Sequence, residues 1–348
     1  MCARVTAGAR LHFGFQNLSL ARPRLYGSLG LAVERPRFVI EAEPAEEVVV
    51  ETQPAEEVVV EADAPFARPT REYAARTAEL LDLPGVAVEV LESFPRHVGL
   101  GSGTQLALAT LAAVARAYDR EANPRSQAPD LGRGGRSGVG VATFERGGFA
   151  VDAGHPTERF TAAPPDEGDW TVPPVIARHE VPTGWRFVVI QPDGEPGRSG
   201  ESEDASMRTV VEGADPGIAD EISVLLTHRL LPAIAEEDVE AFGTAVAELG
   251  RLNGAWYADQ QGGVYRPPVG KIVDELSGEP AISGAGQSSW GPCVYGITDA
   301  DRADAAREAA HDALDAAGVE GEVVVTRARN EGARVEESEA GGGDEDSG

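Results

Sequence analysis

Lysine, cysteine and long apolar runs are scarce in this sequence of 348 residues. Cys2 and Cys293 are its only cysteines, which excludes a disulfide framework and a cysteine-rich zinc site. No apolar run approaches the roughly 18 residues that a membrane span needs, and no basic-then-apolar leader opens the chain. We therefore expect a soluble, cytoplasmic protein.

The charge balance is strongly acidic, and lysine is nearly missing from it. The sequence has 58 acidic and 30 basic residues, a net charge of −28, and Lys271 is its single lysine. Such a charge repels nucleic acid and anionic membranes at long range, so we expect neither as a partner. An acidic protein almost free of lysine indicates adaptation to molar salt, where the Debye length falls to about 3 Å. An ordinary acidic bacterial protein is the alternative.

Strand and helix patterns alternate along the chain, which favours an α+β fold. Strands are predicted over 4–15, 27–40, 86–91, 138–144, 148–152, 186–191, 293–298 and 322–327. Helices are predicted over 69–82, 104–120, 218–231, 238–253, 268–276 and 301–317. The segment from Pro44 to Glu51 recurs at 54–61, and its β-branched triplets suggest an acidic hairpin at a sheet edge.

Composition shifts divide the chain into two halves and a tail. Proline and acidic residues crowd the segment 163–182, which predicts a linker. We therefore place an N-terminal domain over 1–165 and a C-terminal domain over 166–335. The glycine- and acid-rich residues 336–348 are predicted to be a disordered tail.

The segment 95–105, PRHVGLGSGTQ, has the strongest functional pattern. Alternate glycines let backbone N–H groups converge on an oxyanion, and the predicted helix that follows adds its free N–H groups and positive dipole end. Hydroxyls can bind phosphate oxygens or Mg²⁺. No Gly-Lys-Ser/Thr closes the loop, so it is not a Walker loop, and a turn that serves only packing is the alternative. The candidate phosphate-binding residues are Gly99, Leu100, Gly101, Ser102, Gly103, Thr104 and Gln105.

Two further glycine-rich segments could line the same pocket. The first, 282–292, contains an indole in a polar loop, which could stack on a planar ligand; a plain hairpin loop is the alternative. The second, 131–140, places two arginines among five glycines, and arginine binds phosphate and carboxylate with two parallel hydrogen bonds. Its alternative is a surface loop whose arginines pair with the abundant acids. The candidates are Gly284, Gly286, Gln287, Ser288, Ser289, Trp290, Arg133, Arg136 and Ser137.

Asp152 and His12 complete the candidates. Asp152 ends a predicted strand, a common position for a metal-holding or acid–base carboxylate and equally for a turn cap. The histidines show no metal-ligand spacing, and His12 on its residue pattern alone fits a structural or surface position.

Together, five blocks of sequence resemble the GHMP small-molecule kinase superfamily, and within it the β-ribofuranosylaminobenzene 5′-phosphate synthases. The blocks are GARLHFGF at 8–15, GLGSGTQ at 99–105, GRSGVG at 135–140, GFAVD at 148–152 and GQSSWGP at 286–292. The similarity extends over about residues 4–330. It implies a GHMP-kinase-like α+β fold with an N-terminal domain like ribosomal protein S5 and a C-terminal ferredoxin-like α/β sandwich.

The resemblance also implies an activity. Kinases of the superfamily usually have Ser and Ala where this chain has Gly103 and Thr104, which counts against ATP as substrate. The synthases join C1 of phosphoribosyl pyrophosphate to 4-aminobenzoate or 4-hydroxybenzoate and release pyrophosphate and CO₂, in methanopterin-type cofactor biosynthesis. An ATP-dependent kinase of a small alcohol and an inactive ligand-binding homologue are the alternatives.

The resemblance assigns roles to some candidates. Asp152 and His12 are the expected catalytic residues, and Ser102 and Asp152 the expected ligands of a Mg²⁺ cofactor. Arg133 or Arg136 would bind the 5′-phosphate, the pyrophosphate or the arene carboxylate. The indole of Trp290 and the ring of Phe13 would flank the arene. The expected partners are phosphoribosyl pyrophosphate and a para-substituted benzoate, and a homodimer is compatible with them.

Overall fold

The computed structural model describes residues 2–52, 66–163, 165–166, 168–195, 197 and 201–338. Its strands are β1 (Cys2–Asn17), β2 (Arg24–Pro44), β3 (Val48–Thr52), β4 (Val86–Glu92), β5 (Phe149–Asp152), β6 (His155–Pro156), β7 (Val175–His179), β8 (Trp185–Pro192), β9 (Gly284–Gln287), β10 (Val294–Asp299), β11 (Gly321–Thr326) and β12 (Arg334–Ser338). Its helices are α1 (Ala67–Leu80), α2 (Ser102–Ala117), α3 (Pro124–Gln127), α4 (Val139–Arg146), α5 (Glu201–Gly213), α6 (Pro216–Leu225), α7 (Leu231–Ala235), α8 (Val239–Gln261), α9 (Val269–Ser277) and α10 (Ala303–Ala317).

The larger sheet is built on the long antiparallel pair of β1 and β2. Its strand order is β12-β1-β2-β4-β3, with β5 and β6 pairing with β2 and β7 pairing with β5. The register of β1 against β2 shifts between Gly8 and Arg10 and again between His12 and Gly14. Such bulges re-aim side chains. The two bulges lie on either side of the short segment that carries Arg10 and His12.

Helix α2 packs against both long strands of the larger sheet. Nearly all of its residues are buried, because leucine, valine and alanine occupy every face. The smaller sheet has the antiparallel order β11-β8-β10-β9, and α9 and α10 cover it with a second apolar core. No helix in the described part of the chain has the length and apolar character that crossing a membrane requires.

One strand prediction is wrong: residues 138–144 begin helix α4 instead. Alternating glycine and valine mimics a strand, but here the small residues let the helix approach α2. The carbonyl of Gly140 accepts a hydrogen bond from Gln105 Nε2 (3.0 Å), and a Cβ at Gly140 would lie 3.1 Å from Thr104. Within the helix, Thr143 Oγ1 donates to the carbonyl of Val139 (2.8 Å). Tertiary packing therefore overrides the local pattern.

The predicted linker and tail also contain strands. Strand β7 lies within 163–182 and pairs with β5, while β12 extends through residues 336–338 and pairs with β1. Both strands add to free edges of the larger sheet, which satisfies backbone groups that would otherwise need water. The boundary at 165/166 therefore does not separate the two sheets. The remaining tail residues, 339–348, lie outside the described residues.

Three other predictions differ in detail. The two strands expected over 27–40 are one bent strand, β2, and the helix expected over 218–231 is interrupted by a π-helical turn at Leu226–Leu230. The first copy of the acidic repeat forms edge strand β3, which pairs in parallel with β4. The second copy, 54–61, lies outside the described residues.

Candidate active site

Two glycines give the loop before α2 its shape. Gly101 is the N-cap of α2 in the left-handed region, with φ = +75°, and its carbonyl accepts hydrogen bonds from the N–H groups of Thr104 and Gln105 (both 3.1 Å). Gly99 has φ = +94°, and a Cβ there would overlap the carbonyl oxygen of Ser288. One glycine thus permits the turn, and the other lets the C-terminal segment approach the loop.

Ser288 connects the loop to β1. Its hydroxyl donates to the carbonyl of Gly99 (2.7 Å) and accepts from the N–H of His12 (3.0 Å). Nearby, the N–H of Cys293 donates to the carbonyl of Val98 (3.0 Å). The structure therefore brings three of the sequence blocks together, from β1, the glycine loop and the turn after β9.

A large polar cavity of about 590 Å³ opens beside the first turn of α2. Its charged wall is formed by arginines from β1, from α1 and from the 131–140 loop, together with carboxylates of α1 and α5. The lining residues used below are Arg10, His12, Thr104, Arg133, Arg136, Ser137, Glu203, Asp204 and Ser289.

Arg10 is one of the site residues that the sequence patterns missed, as are Glu203 and Asp204. It is only 9% exposed, and an ideal Cβ on Gly101 would lie 3.3 Å from its Nε. Among the described residues no group accepts a hydrogen bond from its buried Nε or Nη1. Burial lowers the pKa of Arg10 to about 10, although the carboxylate of Glu203 opposes this. A positive charge is therefore kept beside the N-terminus of α2 with little compensation from the protein.

The two predicted arginines have different surroundings. The guanidinium of Arg133 lies 5.4 Å from the ring centroid of Tyr73 and also hydrogen-bonds its hydroxyl. Arg136 pairs with Glu203 (3.4 Å) and with Asp204. Arg136 therefore pairs with acidic residues, as the surface-loop alternative predicts. Both partners, however, line the large cavity. In the described residues, the buried Nε of each arginine has no acceptor.

A narrow aromatic cleft of about 40 Å³ adjoins the large cavity and shares His12, Phe15 and Ser289 with it. The rings of Tyr257 and Trp290 meet edge to face with centroids 4.7 Å apart, and those of His12 and Phe15 do so at 4.9 Å. Asn253 of α8 fixes this part of β1, because its side chain bonds both the N–H (2.7 Å) and the carbonyl (3.0 Å) of Phe15.

His12 lies where the two cavities meet. It is 4% exposed, and burial, followed by the charge of Arg10, holds its pKa well below the usual range. The imidazole is therefore neutral near pH 7, a state in which one ring nitrogen donates and the other accepts.

Asp152 is not brought to either cavity. Its Oδ1 accepts from the N–H of Gly154 (2.8 Å), and its Oδ2 accepts from the N–H of Gly138 (2.9 Å) and from the Ser28 hydroxyl. Gly138 is the N-cap of α4. Burial raises the pKa of Asp152, and these hydrogen bonds oppose the rise. Its contacts match the turn-cap alternative.

Several other candidates have packing positions. A Cβ at Gly284 would overlap the carbonyl of Gly243 in α8, and Gly286 packs against Tyr295. Gln287 lines the cleft but bonds the backbone of Arg266 (3.0 Å) and Ser289 (2.9 Å). Phe13 is among the residues that line the narrow cleft, but its ring is 2% exposed and packs in a buried aromatic cluster, 5.0 Å from the ring of Tyr295.

The expected pair of Mg²⁺ ligands does not fit in full. Ser102 lies in the first turn of α2 and is 5% exposed, but the carboxylate of Asp152 is occupied by protein donors. Within the described ranges, no group of three or more His, Cys, Asp or Glu side chains could hold a metal ion. Mg²⁺ commonly takes one or two carboxylates plus substrate phosphates. Glu203 and Asp204 both line the large cavity, and a cation held by them would share their carboxylates with Arg136, which pairs with both.

Family models match both halves of the chain. The model described as GHMP kinases N terminal domain matches residues 69–148, and that described as GHMP kinases C terminal matches 230–316. The chain is 34% identical over 335 residues to "Beta-ribofuranosylphenol 5'-phosphate synthase" of Methanothermobacter thermautotrophicus, covering 94% of this chain and 97% of that protein. It is 32% identical over 336 residues to the protein of that name in Archaeoglobus fulgidus, covering 96% and 99%.

Solved kinase structures share the fold. The Methanococcus jannaschii mevalonate kinase aligns with a TM-score of 0.64 at 14% identity, covering 94% of this chain and 98% of that one. The Streptococcus pneumoniae phosphomevalonate kinase aligns with a TM-score of 0.64 at 12% identity, covering 94% and 99%. These likenesses and the family models confirm the predicted GHMP-kinase-like α+β fold. The two synthases confirm the resemblance drawn from the five sequence blocks.

Proposed function

Because this chain belongs to the β-ribofuranosylphenol 5′-phosphate synthases of the GHMP kinase superfamily, we propose that it is a pentosyltransferase acting on phosphoribosyl pyrophosphate. The acceptor we propose is 4-hydroxybenzoate, since the name of the relatives describes a ribosylated phenol. 4-Aminobenzoate, the other acceptor expected from the sequence, would give an aminobenzene instead. The products are the β-ribofuranosyl arene 5′-phosphate, pyrophosphate and CO₂, at an early step toward a methanopterin-type cofactor.

One observation carries this proposal: two adjoining cavities have complementary chemistry. The large cavity is polar and lined by four arginines, which suits a donor with phosphates at both ends. The narrow cleft is lined by aromatic rings, which suits a flat arene. They share His12, so a ring in the cleft lies beside a sugar in the cavity.

The donor phosphates match the cationic wall. The first turn of α2 offers backbone N–H groups and a positive dipole end to the pyrophosphate, with Arg10 beside Gly101 and Arg133 beside Gly103. Arg136 also lines this cavity, and we assign it to the 5′-phosphate. As the bond from C1 to pyrophosphate breaks, negative charge grows on the leaving group, and these donors stabilise it in place.

The aromatic cleft is the proposed place of the acceptor ring. The rings of Trp290, Tyr257, Phe15 and His12 all line it. Such rings hold an arene by offset or edge-to-face contacts, each contributing about 0.5–1.5 kcal/mol. The carbon that bears the carboxylate must point toward the large cavity, because that carbon has to reach C1 of the ribose.

The proposed reaction needs no general base. The carboxylate-bearing ring carbon forms a bond to C1 while the bond from C1 to the pyrophosphate oxygen breaks and its electron pair leaves with pyrophosphate. The bond from the same ring carbon to the carboxylate then breaks, CO₂ departs, and that electron pair restores the aromatic ring. No proton leaves the ring carbon. A neutral His12 suits this step, since an imidazolium would repel the positive charge that develops at C1.

Mg²⁺ is proposed to accompany the donor, held by Glu203 and Asp204 together with phosphate oxygens. When bound, the ion would neutralise charge on the departing pyrophosphate. Ser102 remains a candidate ligand from the α2 side. Substitution of Glu203 by Gln should raise the Mg²⁺ concentration needed for half-maximal activity, with the Mn²⁺ affinity of the pyrophosphate complex, measured by electron paramagnetic resonance, falling in parallel.

The deciding experiment compares donors by ³¹P NMR in Mg²⁺ and concentrated KCl. Pyrophosphate should form from phosphoribosyl pyrophosphate only when 4-hydroxybenzoate or 4-aminobenzoate is present, and carboxyl-labelled acceptor should release labelled CO₂ in equal amount. ADP formed from ATP with a small alcohol would instead support a kinase. Arg136→Ala should raise the KM for the donor at least tenfold, whereas Arg4→Ala, a surface substitution, should leave it unchanged.

A further inference from the structure

A chain of hydrogen bonds connects the buried carboxylate of Asp152 to the large cavity. The hydroxyl of Ser28, which is fully buried, donates to Asp152 Oδ2. Its oxygen also lies 2.6 Å from the hydroxyl oxygen of Ser137. Ser137 in turn lines the large cavity. The chain therefore runs from Asp152 through Ser28 to a hydroxyl on the cavity wall.

The donors around Asp152 fix the direction of this chain. The carboxylate accepts from the N–H groups of Gly138 (2.9 Å) and Gly154 (2.8 Å) and from both the N–H and the hydroxyl of Ser28. An ionised carboxylate only accepts hydrogen bonds, so the single hydroxyl hydrogen of Ser28 is used there. In the contact between the two serines, Ser137 must then be the donor. The oxygen of Ser137 consequently has only lone pairs to offer a ligand.

We propose that Ser137 accepts a hydrogen bond from a ring hydroxyl of the donor's ribose, and that Ser28 and Asp152 are positioning residues that keep it an acceptor. This inference rests on the proposed function, because it assumes a ribosyl donor in the large cavity.

The chemistry of the cavity favours a sugar hydroxyl over the other ligands. Phosphate oxygens only accept hydrogen bonds, so they cannot use lone pairs and are better matched by Arg10 and Arg133. A cation is better placed beside the carboxylates of Glu203 and Asp204 than beside a neutral oxygen that directly follows Arg136. The vicinal hydroxyls of a ribose are hydrogen-bond donors, and they are the groups that the phosphate-binding arginines leave unpaired.

The test measures discrimination between sugar phosphates at equilibrium and requires no turnover. Dissociation constants of ribose 5-phosphate and of its 2-deoxy and 3-deoxy analogues are measured by calorimetry. For at least one analogue, the unaltered protein should bind the ribo compound about five- to tenfold more tightly. In Ser137→Ala, the ratio of the dissociation constant of that analogue to the dissociation constant of ribose 5-phosphate should fall close to 1. Ser28→Ala should lower it in part, since the Ser137 hydroxyl is then no longer committed to Ser28.

Controls separate this role from a structural one. Inorganic pyrophosphate should bind Ser137→Ala with its affinity changed less than twofold, and Ser277→Ala, the same change on the distant helix α9, should leave every ratio unaltered. The inference is overturned if Ser137→Ala keeps the ratio of the deoxy to the ribo dissociation constant. It is also overturned if this variant needs more Mg²⁺ while that ratio is unchanged. Both outcomes leave the proposed function intact. Failure of the unaltered protein to bind any of the sugar phosphates overturns both.

Discussion

Replacing Arg10 with methionine is expected to stabilise the ligand-free protein while weakening its affinity for pyrophosphate. The guanidinium is 9% exposed, and in the described residues its Nε and Nη1 find no acceptor. A buried charge without a partner costs free energy of folding. Methionine has a similar length and no charge, so it removes that cost.

The size of the effect follows from the electrostatics of the site. Burial lowers the pKa of Arg10 to about 10, and one pKa unit corresponds to about 1.4 kcal/mol, so keeping the charge there costs on the order of 3 kcal/mol. Near pH 7.5 the group is still charged, and the cost is present in full. Since an apolar side chain recovers only part of it, we expect a gain of about 1–3 kcal/mol in the free energy of unfolding.

Thermal melting and calorimetry check both halves of this prediction. A gain of that size raises the melting temperature by several degrees, at about 2–4 °C per kcal/mol. Loss of a hydrogen bond from a charged donor should weaken pyrophosphate binding by about 10- to 100-fold. Arg4→Met is the matched control, because Arg4 is 45% exposed and pairs with Glu41 at the surface. A lower melting temperature for Arg10→Met, or unchanged pyrophosphate binding, would refute the reasoning.

Three further predictions concern the aromatic cleft, the buried side chain of His155 and the glycine loop. Trp290→Leu should raise the KM for the acceptor several-fold and leave that for the donor unchanged in steady-state assays; equal changes in both would count against the aromatic cleft. Burial lowers the pKa of His155 to about 4, so the unfolded chain takes up a proton first as the pH falls below about 6.5. The contribution of His155 to the free energy of unfolding should therefore decline between about pH 6.5 and pH 4, by on the order of 3 kcal/mol at most. His155→Gln should lack this contribution in urea titrations at each pH, and an equal decline in the variant and the unaltered protein would contradict it. Gly99→Ala should cost at least about 2 kcal/mol, because its Cβ would overlap the Ser288 carbonyl at φ = +94°, and an unchanged melting temperature would contradict the close approach.

The sequence predicts those structural elements that depend on residues close to one another along the chain. The strand β1, the loop over 99–105 and the helix α2 follow from glycine spacing and from a run of apolar residues, which act within a few positions. The strand prediction over 138–144 is wrong because the cause lies in tertiary contacts. A helix that is buried on most sides shows no 3.6-residue hydrophobic pattern. Its glycines, which allow contact with α2, alternate with valine and so resemble the pattern of a strand.

Other site residues depend on contacts that no local pattern records. Arg10 points at the α2 loop because two bulges re-aim β1. No prediction covered α5, whose acidic first turn contains Glu203 and Asp204 and reads in sequence like any solvated acidic segment. The position of Asp152 at a strand end indicates a functional carboxylate or a turn cap, and the residues folded around it decide which of the two it is.

The hydroxyl of Ser288 joins the main chain of β1 to that of the glycine loop, although 276 and 189 residues separate it from the two partners. Strand β1, the glycine loop and the turn after β9 are thereby held together by hydrogen bonds at the proposed active site. Hydrogen bonds between these segments restrict domain opening and closure between turnovers. Its small-angle X-ray scattering profile should consequently be the same with and without pyrophosphate and 4-hydroxybenzoate, in contrast to enzymes that close by a hinge.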